Sequence, residues 1–272
     1  MTEIDFRTAI CQALDEELHH DESVVFFGED VAVAGGVFAT TGGLSDKHGT
    51  DRVFDTPISE LALAGAAYGS AIGGGGRFGA IHSQVPISWF QGVPGLKIVC
   101  PSTPADAKGL LKAAIRDDNP VLFLEHKRLY ALSGEVDGEL GTIGEAAVVR
   151  EGADVTLVSA MRTLHECVAA AETLAGEGVE CEVIDLRTVR PVDSATILRS
   201  VQKTNRLVVV EEGPRTGGWA GEVLAIVAEQ GLGDLDAILR LTTPDHPIPY
   251  SPPLEDAFIP GAEAIAEAVR TL

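Results

Sequence analysis

The sequence predicts two α/β units, each a mainly parallel sheet flanked by helices. Two observations carry that reading. Short β-branched runs alternate with helix-like segments through most of the 272 residues, the pattern of βαβ units. That alternation breaks at LSGEVDGELGTIGEAAVVREGA, residues 132–153, a polar, glycine-punctuated stretch that reads as a linker or small hairpin. A boundary near residue 140 therefore divides the chain into units 1–140 and 141–272. The length suits one large domain or two ordinary ones.

In the first unit an amphipathic helix is expected over residues 6–20, followed by a buried strand in SVVFFGED, residues 23–30. RVFDTP, residues 52–57, reads as a second strand. Ser59 can then cap an alanine-rich helix that begins SELALAGAAYGSA and ends near Ile72. LKIVCP, residues 96–101, is a third strand. The helix after it, residues 103–118, has Pro104 in its first turn and Asp106 near its positive end. VLFLEH, residues 121–126, is the fourth strand. In the second unit DVTLVSA, CEVIDLR, RLVVVEEG and AILRLTT read as strands. Helices over roughly 162–177, 193–203, 217–230 and 261–271 separate or follow them.

Composition excludes several functions. Twenty Lys and Arg against 41 Asp and Glu give a net charge of −21, which repels phosphate backbones and argues against nucleic acid. Such acidity serves solubility or docks a basic partner. The start MTEIDFRTAI lacks a basic region followed by an apolar run, so no signal peptide is expected. The longest apolar stretches are too short and too rich in glycine to span a membrane. Cys11, Cys100, Cys167 and Cys181 are widely spaced, as expected of reduced thiols in a cytoplasmic protein rather than a zinc site or disulfide frame.

GGGGRFGAIHSQVP, residues 73–86, contains the dinucleotide spacing G-x-G-x-x-G at Gly74, Gly76 and Gly79. The context fails. The run follows a helix instead of a strand, AIHSQVP is a poor helix start, and the strand LKIVCP carries no ribose-binding acid. The expected helix ending near Ile72 should also reach a strand through a short loop, yet no convincing strand appears before Leu96. One sheet unit is missing there, and residues 73–76 read as a seam.

A set of phrases in order carries a resemblance: GEDVAVAGGVF, RVFDTPISELALAGAAYGSA, IHSQVPISWFQGVPGLKIVCPSTPADAKGLLKAAIRDDNPVLFLEHKRLY, VIDLRTVRPVD, EEGPRTGGWAGE and PIPYSPPLEDAFIP. Together they resemble the beta subunit of the thiamine-diphosphate-dependent first component of 2-oxo acid dehydrogenase complexes, from the first residues to the last. The resemblance implies a transketolase-like pyrimidine-binding domain, incomplete here, followed by a transketolase C-terminal-like domain. It implies oxidative decarboxylation of a 2-oxo acid with acyl transfer to lipoamide. The acetoin-cleaving relatives are the close alternative, and a non-catalytic scaffold subunit is the alternative if the missing unit is a true deletion.

Roles follow residue by residue. Glu60, in DTPISE, matches the glutamate that hydrogen-bonds the aminopyrimidine of thiamine diphosphate; read without the resemblance, it is a carboxylate in a first helical turn. Glu29, in GED, matches an acid of the polar path between paired active sites, although Glu29 or Asp30 could equally cap the following loop. His82, in IHSQ, matches the histidine over the cofactor, where an imidazole can donate to a developing oxyanion. Asp117 and Asn119, in IRDDNP, match a turn that helps bind potassium in some members; by themselves they form a turn before Pro120.

Two departures matter. Members of the family carry further strands and a long helix between the helix near Ile72 and IHSQ, so either the sequence omits residues that the protein has or a block has been deleted. Loss of a central sheet unit would cost most of a domain's marginal stability, which favours omission. No GDG followed by an asparagine, the motif for magnesium and the diphosphate, occurs in the chain. The resemblance assigns that half of the site, with Mg2+, to an alpha subunit in an α2β2 heterotetramer. The acyl acceptor would be a lipoyl-bearing acyltransferase.

Overall fold

The computed structural model describes residues 2–36, 38–57 and 69–272. Strands are numbered in chain order. β1 (Thr2–Asp5) leads into the helix Phe6–His20, whose N-cap is Asp5, the side chain accepting from the Thr8 N–H at 2.8 Å. That helix buries Phe6, Ala9, Ile10, Ala13, Leu14 and Leu18, the i, i+3, i+4 stripe that its sequence presents. β2 (Phe26–Gly28) and β3 (Val53–Asp55) follow, then β4 (Gly69–Ile72), β5 (Lys97–Val99), β6 (Val121–His126) and β7 (Ser133–Val136). The helix Pro104–Ile115 joins β5 to β6; Thr103 caps it by accepting from the Asp106 N–H at 3.1 Å, with Pro104 in the first turn. It packs on Phe6–His20, and Arg116 reaches the buried Glu17 through two bonds of 2.7 and 2.8 Å.

The remaining strands are β8 (Ala147–Arg150), β9 (Val155–Ser159), β10 (Cys181–Asp185), β11 (Thr188–Arg190), β12 (Arg206–Pro214) and β13 (Ala237–Thr243). Five form one sheet in the order β13-β12-β9-β10-β8, parallel except for the edge strand β8. β9 and β10 are buried along their whole length, polar members included, as strands covered on both faces are. Helices Arg162–Ala175 and Ala262–Arg270 pack together on this sheet through Leu164, Cys167, Ala171, Leu174, Ile265 and Val269.

The first half is divided differently. β5, β6 and β4 are parallel, and β11 from the second half closes the other edge antiparallel to β5, in the order β11-β5-β6-β4. Among the described residues β2 and β3 pair only with each other.

Two expectations need correction. The helix read from Ser59 to near Ile72 does not persist to its expected end: Gly69–Ile72 is β4, hydrogen-bonded beside β6. Strand β6 is a buried apolar run whose backbone requires a partner, and this segment is the one the seam delivers to its edge. The earlier part of that helix, with its cap Ser59, lies outside the described residues. The second correction concerns residues 132–153, which hold two strands: β7 pairs antiparallel with β1, and β8 with β10. SGEV is mostly exposed apart from Val136, and AVVR leaves both Val148 and Val149 in water.

Candidate active site

Two parallel strands end in acidic or polar pairs where their apolar runs stop: β6 in Glu125-His126 and β12 in Glu211-Glu212 before Gly213. Strand alternation sends the members of each pair to opposite faces. Glu125 accepts from the Tyr130 hydroxyl at 2.8 Å; burial, partly opposed by that bond, pushes its carboxyl up to about 7. Glu211 accepts the N–H groups of Trp219 (3.1 Å) and Ala220 (2.9 Å), where the helix Ala220–Gln230 begins. Burial pushes Glu211 up to about 7 against those two bonds. A Cβ at Gly218 would run into this carboxylate, so EEGPRTGG is a glycine turn folded around a buried acid.

His126 and Glu212 face the seam. The Nδ1 atom of His126 accepts the Arg128 N–H at 3.1 Å, so Nε2 carries the proton and donates it to Glu212 Oε2 at 3.0 Å. Glu212 Oε1 takes the Gly74 N–H at 2.6 Å. Burial resists ionisation of Glu212, but His126, the Gly74 N–H and Arg162 outweigh it and hold the carboxyl below its ordinary value. Gly73, at φ +97°, lies against the His126 ring, which any Cβ would strike.

The seam continues as a loop anchored on the second half. Glu255, fully buried in the helix Pro252–Phe258, accepts from Gly75 N (2.9 Å), Arg77 N (3.2 Å) and Arg77 Nη1 (2.6 Å). Arg77 Nη2 adds a bidentate contact to Asp256 at 2.7 and 2.8 Å.

The residues singled out in the sequence fall in three places. His82 ends a short helical segment, Gly79–His82, beyond this loop, with its side chain exposed. Its carbonyl oxygen accepts from Lys127 Nζ, which lies 4.9 Å from the centre of the Phe78 ring. Burial lowers the Lys127 pKa, with Glu212 opposing. Glu29 lies in the turn after β2, half-buried. Thr56, after β3, donates its N–H to the Gly28 carbonyl at 2.9 Å, so the chain heading for Glu60 leaves from beside Glu29. Glu60 itself is outside the described residues. Phe38 lies between Phe78 and Tyr130, with ring centroids 6.5 Å and 5.2 Å away.

Asp117 and Asn119 are elsewhere. They precede β6 at its N-terminal end, opposite His126. Asp117 accepts from Lys97 Nζ at 2.5 Å and from the Asn119 backbone N–H at 2.8 Å, and the Lys97 contact leads in holding its carboxyl below the ordinary range.

Sequence reasoning did not single out Glu211, Glu212, His126, Glu255 or Arg77. The usable signal was acids placed where apolar strands end, the end at which open parallel sheets bind ligands; Glu255, on a helix, had no such signal.

The residues present fit half of a cofactor site. Among the described residues no three His, Cys, Asp or Glu side chains converge as metal ligands. The other half is better provided. The hydroxyls of Thr56 and Ser83 are buried without a hydrogen-bond partner among the described residues, one on the path to Glu60 and one next to His82. An open cleft of about 500 Å³ is lined by Gln84, Thr216, Asp245 and His246.

The transketolase C-terminal domain family matches residues 144–265, and the transketolase pyrimidine-binding domain family matches residues 2–81 and 71–133. The beta subunit of the acetoin:2,6-dichlorophenolindophenol oxidoreductase of Cupriavidus necator is 41% identical, across 98% of this chain and 96% of its own length. The chain belongs to the transketolase-type beta-subunit family of 2-oxo acid and acetoin dehydrogenases. Other members are the 2-oxoisovalerate dehydrogenase beta subunit of Bacillus subtilis, 40% identical across 100% and 99% of the two chains, and the mitochondrial pyruvate dehydrogenase E1 beta subunit of Dictyostelium discoideum, 40% identical across 98% and 90%. A split-gene transketolase solved as an inactive beta4 tetramer shares the fold, with a TM-score of 0.82 at 20% identity over 98% of each chain.

The alignment with the acetoin relative runs over 327 positions against 272 residues here, so at least 55 positions have no counterpart in this beta subunit. The pyrimidine-domain match is broken into pieces that overlap at 71–81, on the glycine loop. No helix among the described residues is long and apolar enough to cross a membrane.

Proposed function

We propose that this chain is the beta half of a thiamine-diphosphate-dependent 2-oxo acid dehydrogenase first component, active only with an alpha subunit in an α2β2 assembly. The observation that carries the reading is the near-full-length identity to beta subunits at about 40%. When bound, the cofactor supplies the electron sink for cleavage next to a carbonyl. The chain's own residues orient and protonate. Glu60 holds the aminopyrimidine by a carboxyl hydrogen bond. His82 offers an imidazole N–H to the oxygen on which charge develops. Glu29 continues the acidic path beside Thr56. The alpha subunit holds Mg2+ and the diphosphate. The acyl group passes to a lipoyl-bearing acyltransferase, and potassium binds at the Asp117–Asn119 turn through backbone oxygens. The setting is cytoplasmic, in keeping with four free cysteines.

The specific 2-oxo acid can be read from turnover with pyruvate, 2-oxoisovalerate and acetoin after reconstitution with an alpha subunit. Glu60→Gln and His82→Ala should each lower turnover by about 100-fold or more. Full turnover in both variants would overturn the assignment. The at least 55 absent positions favour one second reading, a non-catalytic scaffold subunit, which predicts complex formation without any turnover.

A further inference from the structure

We infer that Glu255, near the end of the chain, is a positioning residue for the loop that carries His82; this rests on the reading of His82 as a site residue.

The loop is closed at its base, where Gly73 N donates to the Gln84 carbonyl at 3.4 Å. It opens with four consecutive glycines, the stretch with most backbone freedom to lose on folding. Left alone, such a stretch would not fix the direction of residues 77–82. Glu255 supplies the definition. Its two oxygens take the Gly75 N–H, the Arg77 N–H and the Arg77 guanidinium, and its side chain is fully buried while doing so. Asp256 then holds the other arm of the same guanidinium. The bonds are charge-assisted and cross 178 to 180 residues of sequence.

His82 lies five residues beyond Arg77, too close for a displacement at the clamp to be absorbed. A second wall comes from the same half of the molecule, since Tyr250 lies 3.3 Å from where a Gly79 Cβ would be. On the far side Lys127 grips the His82 carbonyl. The His82 ring nitrogens make no hydrogen bond among the described residues, so the ring's direction depends on the backbone that the two anchors hold. Glu255 thus acts on the imidazole through the loop, without touching substrate or cofactor.

The test uses the full chain, with Glu255→Gln, which keeps size and removes charge, and Arg77→Lys, a partly exposed change that spares the backbone bonds. Hydrogen exchange of the segment 73–84 is read on the chain as it stands. Turnover and the thiamine diphosphate concentration for half-maximal rate are read after reconstitution with an alpha subunit. Glu255→Gln should speed exchange of the Gly75 and Arg77 amides about tenfold or more. It should lower kcat by about 10- to 100-fold with the cofactor half-saturation unchanged, because misplacement alone costs that much. Arg77→Lys should move both readouts in the same direction by less. Unchanged exchange in both variants would overturn the clamp. Faster exchange with unchanged kcat would overturn the positioning role. His82→Ala in parallel separates the two readings: full turnover there overturns the role of His82, while the exchange data still judge the clamp.

Discussion

The two halves of the molecule answer the same architectural problem with different success. In the second half five strands join in one sheet, and its central members β9, β10 and β12 are buried almost throughout. Among the described residues, the strands of the first half fall into a four-stranded group, completed by β11 from the other half, and two separate pairs, β1 with β7 and β2 with β3. The difference lies at the seam, the loop on which the two pieces of the pyrimidine-domain match overlap; the alignment with the acetoin relative has at least 55 positions without a counterpart in this chain. A parallel sheet protects its strands only when each has neighbours and both faces are covered. The first half compensates with polar anchors: Glu212 and Glu255 of the second half grip the loop that replaces the missing unit. The loop that carries the candidate residue His82 therefore belongs to the less complete half and is braced by the more complete one.

The sharpest way to break this comparison is through the cores. Leu157→Ala, at a fully buried position of β9, should destabilise by about 3 kcal/mol and unfold the second half as a unit, measured by urea titration. Glu212→Ala tests the brace. It strips partners from His126 and from Gly74 N in a buried place and should cost about 2–3 kcal/mol, with exchange rising in 73–84 before it rises in β9. At the small end, Phe54→Ser on the β2–β3 pair, 37% exposed in the wild type, should cost about 1 kcal/mol or less. A larger loss would mean that β2 and β3 are better supported than their pairing indicates.

Titration sharpens the same comparison. Burial, against the Ser102 and Arg187 bonds, pushes Asp185 from its ordinary 3.8 up to about 7, and it pushes Glu125 and Glu211 from 4.5 to about 7. A raised acid binds a proton in the folded state that the unfolded state has already lost. Its contribution is complete below the ordinary value and is lost as pH rises to about 7. Urea midpoints should fall between about pH 5 and 7.5, and Asp185→Asn with Glu211→Gln should flatten that slope. Glu212 has the opposite sign: its lowered pKa gives stability that is present above the ordinary range and lost as pH falls through the folded value.

Most of the fold was legible, for reasons that differ by element. The helix Phe6–His20 and the strands β9, β10, β12 and β13 are set by local periodicity and composition, and the expected elements coincide closely with those formed. β7, β8 and β11 were hidden, because each is a short edge strand whose pairing is decided by a partner distant in sequence. β4 was misread as helix, since the alanine-rich local preference yields there to the open edge of β6. Of the candidate site residues, His82 and Glu29 were marked by resemblance alone, and their place in loops by the neighbouring glycines. The braces were not legible. Glu255 and Arg77 are ordinary charged residues until folding brings a helix from the chain's end onto the glycine loop.

The most direct test of the central claim is a calorimetric titration of thiamine diphosphate with Mg2+ into the purified complex of this chain and an alpha subunit. The account predicts saturable binding at one cofactor per alpha–beta pair, weakened by Glu60→Gln. A complex that forms and binds no cofactor would contradict it and leave the scaffold reading.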